Sequence, residues 1–404
     1  MRILYFAKDA PFVPSGYGKC CREITKRLRG LGHEVAVFAT VGNQSSFLFT
    51  WEGIPIYPGM GDAMGEDVCL EHLDHFKADL LITQIDVWPI QRLHNYARQG
   101  LINWVPYVPI DSEPIPEEFI ERLKCATAVV TMNYWAEEQL RQLGIKATTI
   151  HHGVDSKIYK YLGSREKIKQ ELGYPVNTFL VGMVQANQFL RKALEEQLLG
   201  IKIFIDKHPS INTRVYFLTT PSRSESYYLP QLIKFLKIKE DVVKFPSNYE
   251  CLIGFSEEHM ARLYNAFDVL LSATNGEGFG LPVIEAQACG CPVIATDCMS
   301  FPELVSYGEL VRPKAYFTVP AILRKPMPDE NDIAEKLEKI YFTSDFNRRE
   351  IASTAAYRWD WDSRIINQWM MLLDDVREKI GWQCHKAPQA PKIIRKREKE
   401  LCVF

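Results

Sequence analysis

Short apolar runs alternate with helix-like segments along most of the chain, and this alternation admits few folds other than parallel sheets with crossover helices. In the first half the runs are Ile3 to Ala7, Glu34 to Thr40, Leu80 to Ile85, Asn103 to Pro106, Ala128 to Met132 and Thr148 to His151. Between the first two, Lys19 to Leu31 has helical spacing and Gly32 is placed to end it. A second series begins at Thr178, with runs Phe179 to Val184, Arg214 to Thr219, Val242 to Phe245, Val269 to Ala273, Val293 to Thr296 and Leu310 to Val311. Gly153 to Pro175 separates the two series and reads as a hinge. The expected class is therefore α/β, with two doubly wound domains at residues 1–155 and 177–360 joined by a hinge at 156–176. Pro313 to Pro328, with four prolines, reads as a loop, and Asp332 onward as helix through about Ile380. Residues 385–404 mix Pro with a basic and acidic run and are expected to form a mobile tail.

A chain of 404 residues is long enough for two such domains with real cores. Its net charge of −2 argues against bulk electrostatic binding of nucleic acid. Ten cysteines stand without any Cys-x-x-Cys spacing, which fits a reducing compartment better than a zinc site. With no signal-peptide pattern and no apolar run of membrane-spanning length, a cytoplasmic protein is expected. Lys26, Arg27 and Arg29 leave two readings open, a solvated helix face or a weak peripheral membrane contact. His72, His75 and His94 read as ordinary surface residues.

The stretch Asn275-Gly276-Glu277-Gly278-Phe279-Gly280-Leu281-Pro282-Val283-Ile284-Glu285 lies where an apolar run gives way to a helix-like one. The glycines around Phe279 let the backbone bend and approach a ligand, and Pro282 suits a first helical turn. Free N–H groups at such a turn suit a phosphate. Glu277 and Glu285 are acceptor-only when ionised and suit hydroxyl donors. Spacing alone leaves open whether they bind a ligand or complement the helix dipole.

From Ser256 to Val311 the chain resembles glycosyltransferase family 4, retaining nucleotide-sugar enzymes of the GT-B fold. The resemblance rests on Leu263-Tyr264-Asn265-Ala266, Phe267-Asp268-Val269-Leu270, Glu277-Gly278-Phe279-Gly280-Leu281-Pro282, Glu285-Ala286, Gly290 to Thr296 and Pro302-Glu303-Leu304-Val305, in that order. It implies two Rossmann-like domains facing a central cleft, an acceptor side in the first domain, a nucleotide-sugar side in the second, and a helix at 361–384 returning to the first. Ser15-Gly16-Tyr17-Gly18 is similar to the family's N-terminal glycine loop, and Arg191-Lys192 to its diphosphate-holding pair. Many members carry a histidine where Tyr107-Val108-Pro109-Ile110-Asp111 stands here, so Asp111 either takes part of that role or only ends a strand.

The resemblance implies transfer of a hexose from a nucleotide diphosphate sugar, UDP or GDP, to a sugar, lipid-linked or other hydroxyl acceptor. Glu277, Arg191, Lys192 and Asp111 are then the catalytic candidates. Gly16, Tyr17, Gly18, Gly278, Phe279, Gly280, Leu281 and Glu285 are the donor-binding candidates, and Tyr249 to Ile253 should meet the base. No cofactor or metal is implied, and no Asp-x-Asp signature stands near the glutamates. An epimerase or hydrolase of the same fold, or a non-catalytic sugar-nucleotide-binding subunit, are the alternatives.

Overall fold

The computed structural model of the protein describes all residues except 45–46, 60–61, 63, 223–225, 320–322, 344–345 and 385–404. The expected tail at 385–404 therefore lies outside the described residues. The first sheet has eight strands: β1 (Arg2–Asp9), β2 (Glu34–Val41), β3 (Phe49–Trp51), β4 (Ile54–Tyr57), β5 (Leu80–Gln84), β6 (Trp104–Val108), β7 (Val129–Thr131) and β8 (Ala147–Thr149). Their order is β3-β4-β2-β1-β5-β6-β7-β8, and all neighbours run parallel except β3 against β4. The second sheet has six parallel strands, β9 (Phe179–Val184), β10 (Thr213–Leu218), β11 (Val243–Lys244), β12 (Val269–Ser272), β13 (Val293–Thr296) and β14 (Gly308–Val311). These lie in the order β11-β10-β9-β12-β13-β14.

The residue choice follows from this layering. Ile3 to Ala7 are five consecutive buried residues, as a central parallel strand covered by helices on both faces requires. The strand order reverses beside β1, which lies between β2 and β5, and beside β9, which lies between β10 and β12. Ligands of open α/β sheets bind outside the carboxyl ends of the strands at such reversals. Here the two reversals face each other: a Cβ placed on Gly16, after β1, would lie 3.6 Å from Leu281, after β12.

Three local expectations are corrected. The first helix runs Gly16–Gly30, with Ser15 as its N-cap accepting from the Gly18 N–H at 3.0 Å, so the glycines form a helical turn and not a loop. The strands β15 (Pro313–Val319) and β16 (Leu323–Pro328) pair antiparallel as a hairpin in place of the expected loop, and three of the four prolines sit in this two-stranded sheet at positions that need no N–H towards a third strand. The stretch after Asp332 is not one helix: Glu330–Thr343 and Phe346–Ala355 are followed by a 3₁₀ turn at Ala356–Trp359 and a π turn at Trp361–Ile365. Ile366–Cys384 then forms the last helix, whose Trp369 packs edge-on against Tyr107 of β6, centroids 5.3 Å apart.

The chain passes between the halves twice, near 154 and near 360, and the two passes are paired. Val154 N–H donates to Trp359 O at 2.8 Å and Trp361 N–H to Val154 O at 3.2 Å.

Candidate functional site

The turn from β12 into the helix Leu281–Ala288 carries both glutamates. Gly276 and Gly280 adopt φ of +142° and +113°, values that a side chain resists. Gly278 is needed for closeness, since a Cβ there would lie 2.7 Å from the Cβ of Pro109 in the first half. Its carbonyl accepts from Asn133 Nδ2 at 2.6 Å, tying the turn to the helix after β7. The bend sends Glu277 and Glu285 to different surroundings.

Glu285 is buried, with each carboxylate oxygen occupied. Lys19 Nζ, from the first helix, is 2.7 Å from Oε1, and Tyr264 OH donates to Oε2 at 2.8 Å. Lys19 also meets Tyr159 OH at 3.0 Å and Glu257 at 2.9 Å. Beside this knot opens a cavity of about 520 Å³, lined by Gly16, Leu281 and Glu285 with Gln185, Asn187, Thr219 and Cys251 among others. That volume lies within the few hundred Å³ typical of small-molecule sites. Of the segment expected to meet the base, Cys251 reaches this cavity, whereas Tyr249, Leu252 and Ile253 are exposed on the helix Asn248–Ile253.

Glu277 sits in a second cluster. Lys192 Nζ bonds its Oε1, and Arg191 Nη2 lies 3.2 Å from its Oε2. Arg191 continues to Asp111, Nε to Oδ2 at 3.3 Å, and Asp111 is met from its other side by Lys325 of β16 at 3.2 Å. Burial would raise the Glu277 carboxyl, but Lys192 and Arg191 outweigh it and hold the group below the usual range. Asp111 behaves likewise, with burial overcome first by Lys325 and then by Arg191. Tyr17 is raised by burial and then by Asp86, with Arg191 acting against them, and the Lys8 ammonium lies 5.2 Å over its ring.

The structure thus brings together Glu277, Arg191, Lys192 and Asp111, with Tyr17 in their field, and separately Gly16, Leu281 and Glu285. The remaining donor-binding candidates do not line the cavity. Gly18 is buried, a Cβ there falling 2.8 Å from Ala10 O, and Gly280 starts the helix under Phe301. The Phe279 ring points away into the core, edge-on to His152 with centroids 4.9 Å apart, because the bend that places Glu277 turns the next apolar side chain inward. Lys19, Tyr159, Tyr264, Glu257 and Lys325 were missed. Tyr264 lay inside a motif already noted and Lys19 next to the Ser-Gly-Tyr-Gly stretch, but no spacing in the sequence pairs either with Glu285. His72 and His75 lie against Pro58 O and Tyr57 OH in the first half, at 2.8 Å each, outside both clusters.

Residues 187–341 match the family model described as glycosyl transferases group 1. The chain is 26% identical over 200 residues to a D-inositol 3-phosphate glycosyltransferase of Corynebacterium jeikeium, covering 49% of this chain and 44% of that one. A protein of the same description from Rhodococcus erythropolis is 31% identical over 150 residues, covering 36% and 32%. The matches span less than half the length of these relatives. Among solved structures, sucrose-phosphate synthase from Thermosynechococcus elongatus aligns with a TM-score of 0.71 at 16% identity, over 94% of this chain and 99% of that one. Anabaena HepE in complex with UDP-glucose aligns at 0.68 and 17% identity, over 95% and 99%. The fold is GT-B, and the family match agrees with the resemblance to glycosyltransferase family 4 carried by Ser256 to Val311.

Proposed function

We propose, for a GT-B chain whose residues 187–341 match the family model of group 1 glycosyl transferases, that it transfers a hexose from a nucleotide diphosphate sugar to a hydroxyl acceptor with retention of configuration. The observation that carries this reading is the difference in surroundings of the two glutamates. Glu285 borders a cavity of nucleoside size, while Glu277 lies in a separate cluster with a cation pair, Arg191 and Lys192. A nucleotide diphosphate sugar has the same order of parts: nucleoside, diphosphate, sugar.

In this reading the ribose hydroxyls donate to Glu285, taking the place of Lys19 or Tyr264. Arg191 and Lys192 turn from Glu277 to the diphosphate, whose negative charge grows as the bond to the sugar breaks. Glu277, released, accepts from the sugar hydroxyls. The acceptor enters against the first half near Asp111, and its proton passes to the departing phosphate, so no protein nucleophile is needed. Charge neutralisation is assigned to the two cations and not to a metal ion. The UDP in the HepE structure makes UDP the first donor base to try, with GDP the other. The acceptor is a sugar, a lipid-linked or another hydroxyl. Among the described residues no helix is long and apolar enough to cross a membrane.

Release of nucleotide from UDP- and GDP-sugars, with and without acceptor extracts, tests the proposal. Acceptor-dependent release supports transfer, release without acceptor favours a hydrolase or epimerase, and no release under any condition sinks the enzyme.

A further inference from the structure

The hairpin β15–β16 carries one lysine that a surface hairpin has no reason to bury. Lys325 has a side chain only 10% exposed. Its ammonium lies 3.2 Å from Asp111 Oδ1 and donates to the Asp111 carbonyl at 2.9 Å. The rest of the hairpin serves its placement. Arg324 N–H, next in chain, donates to Glu113 O in an antiparallel bridge, which docks β16 against the first half two residues beyond Asp111. The Arg324 guanidinium stacks 4.8 Å over Tyr316 on the paired strand, bracing the hairpin across its width.

Resting on the reading above, we infer that Lys325 is a positioning residue that serves as the standing counterion of Asp111 and so frees Arg191 for the donor diphosphate. Asp111 is shared between Arg191 and Lys325, which come from separate elements of the second half. Two carboxylates, Glu277 and Asp111, face three cations, Arg191, Lys192 and Lys325. An arriving diphosphate needs Arg191 and Lys192 together. Glu277 can turn to sugar hydroxyls, but Asp111 would otherwise keep hold of Arg191, because even a partly buried carboxylate left without a partner is costly. Lys325 removes that competition.

The test is UDP affinity by titration calorimetry, with GDP alongside, for the full chain and three variants. Lys325→Met should weaken binding of the preferred nucleotide about tenfold, the scale of a close buried charge pair. Adding Asp111→Asn to Lys325→Met should restore affinity to within about twofold to threefold, since a neutral amide no longer competes for Arg191. Lys325→Arg should bind as the parent does. A lysine that served only to tie the hairpin to the Asp111 carbonyl predicts no such restoration, so a double variant as weak as Lys325→Met overturns the inference, as does a Lys325→Met that binds normally. A parent chain that binds neither nucleotide overturns the donor reading itself, which is a different result.

Discussion

Lys19, on the first helix of the first half, bonds Glu285, within the helix Leu281–Ala288 of the second half, across 266 residues of sequence and 2.7 Å of space. Burial alone would lower the lysine, but Glu285, Tyr159 and Glu257 outweigh it and hold the ammonium well above its ordinary range. The ion pair therefore stands across the neutral pH range.

Lys19→Met should cost about 3 kcal/mol of stability, the scale for stripping the partner from a buried charge. Glu285→Gln in the same chain should recover more than about 1 kcal/mol of that loss, because the stranded carboxylate is gone. Urea unfolding of the parent, the two single variants and the double variant measures both. Strict additivity would show that the pair carries no coupling energy.

The two glutamates should separate in steady-state kinetics. Glu277→Gln should lower kcat by about 100-fold with the donor KM within about threefold, whereas Glu285→Gln should raise the donor KM about tenfold with little effect on kcat. Equal changes in both quantities for both variants would count against the separate roles.

Gly278→Ala should destabilise the chain by about 2 kcal/mol, the usual cost of forcing a methyl group into a filled space. Its Cβ would press on Pro109, 2.7 Å away, and prise the turn from the first half. Thermal unfolding of the purified variant reads this directly, and an unchanged midpoint would mean the two segments part freely.

His152 gives a pH dependence. Its Nδ1 lies 2.9 Å from Tyr107 OH, whose single proton goes to Ile150 O, so Nδ1–H donates to that oxygen. Burial first, and the neighbouring His151 second, push it from 6.5 down to about 3. Between those values the unfolded chain holds the extra proton, so stability should fall as pH drops from about 6.5 towards 3, by up to roughly 1.4 kcal/mol per pH unit. His152→Gln should flatten that slope in urea titrations between pH 7 and 5. A parent and variant with parallel slopes would mean that other groups dominate acid unfolding.

The sheets were legible because the buried strands β1, β5, β9, β12 and β13 are nearly unbroken apolar runs. Strands β3 and β4 were not: each is short, and Glu52-Gly53 between them reads only as a turn. The hairpin at 313–328 hid behind its prolines. Glu277 and Glu285 could be picked out by their turn, and Arg191 and Lys192 by resemblance. Asp111 stood out only as a strand-end acid, and the other partners could not be found, because Lys19, Tyr264 and Lys325 stand in segments that only the tertiary fold brings near them. Sequence order also says nothing of which way a bent backbone turns a ring, and the Phe279 ring lies in the core.

The two halves are fastened at separated places: by the paired passages at Val154 and Asp360, and by the hairpin at Glu113 and Arg324. A rotation that parts the halves can keep the first pair as its axis, but it must break the second. Parting the halves thus breaks a backbone bond that belongs to neither glutamate cluster. Changes in the sequence of residues 313–328 can then alter how readily the halves part, while both glutamate clusters stay the same.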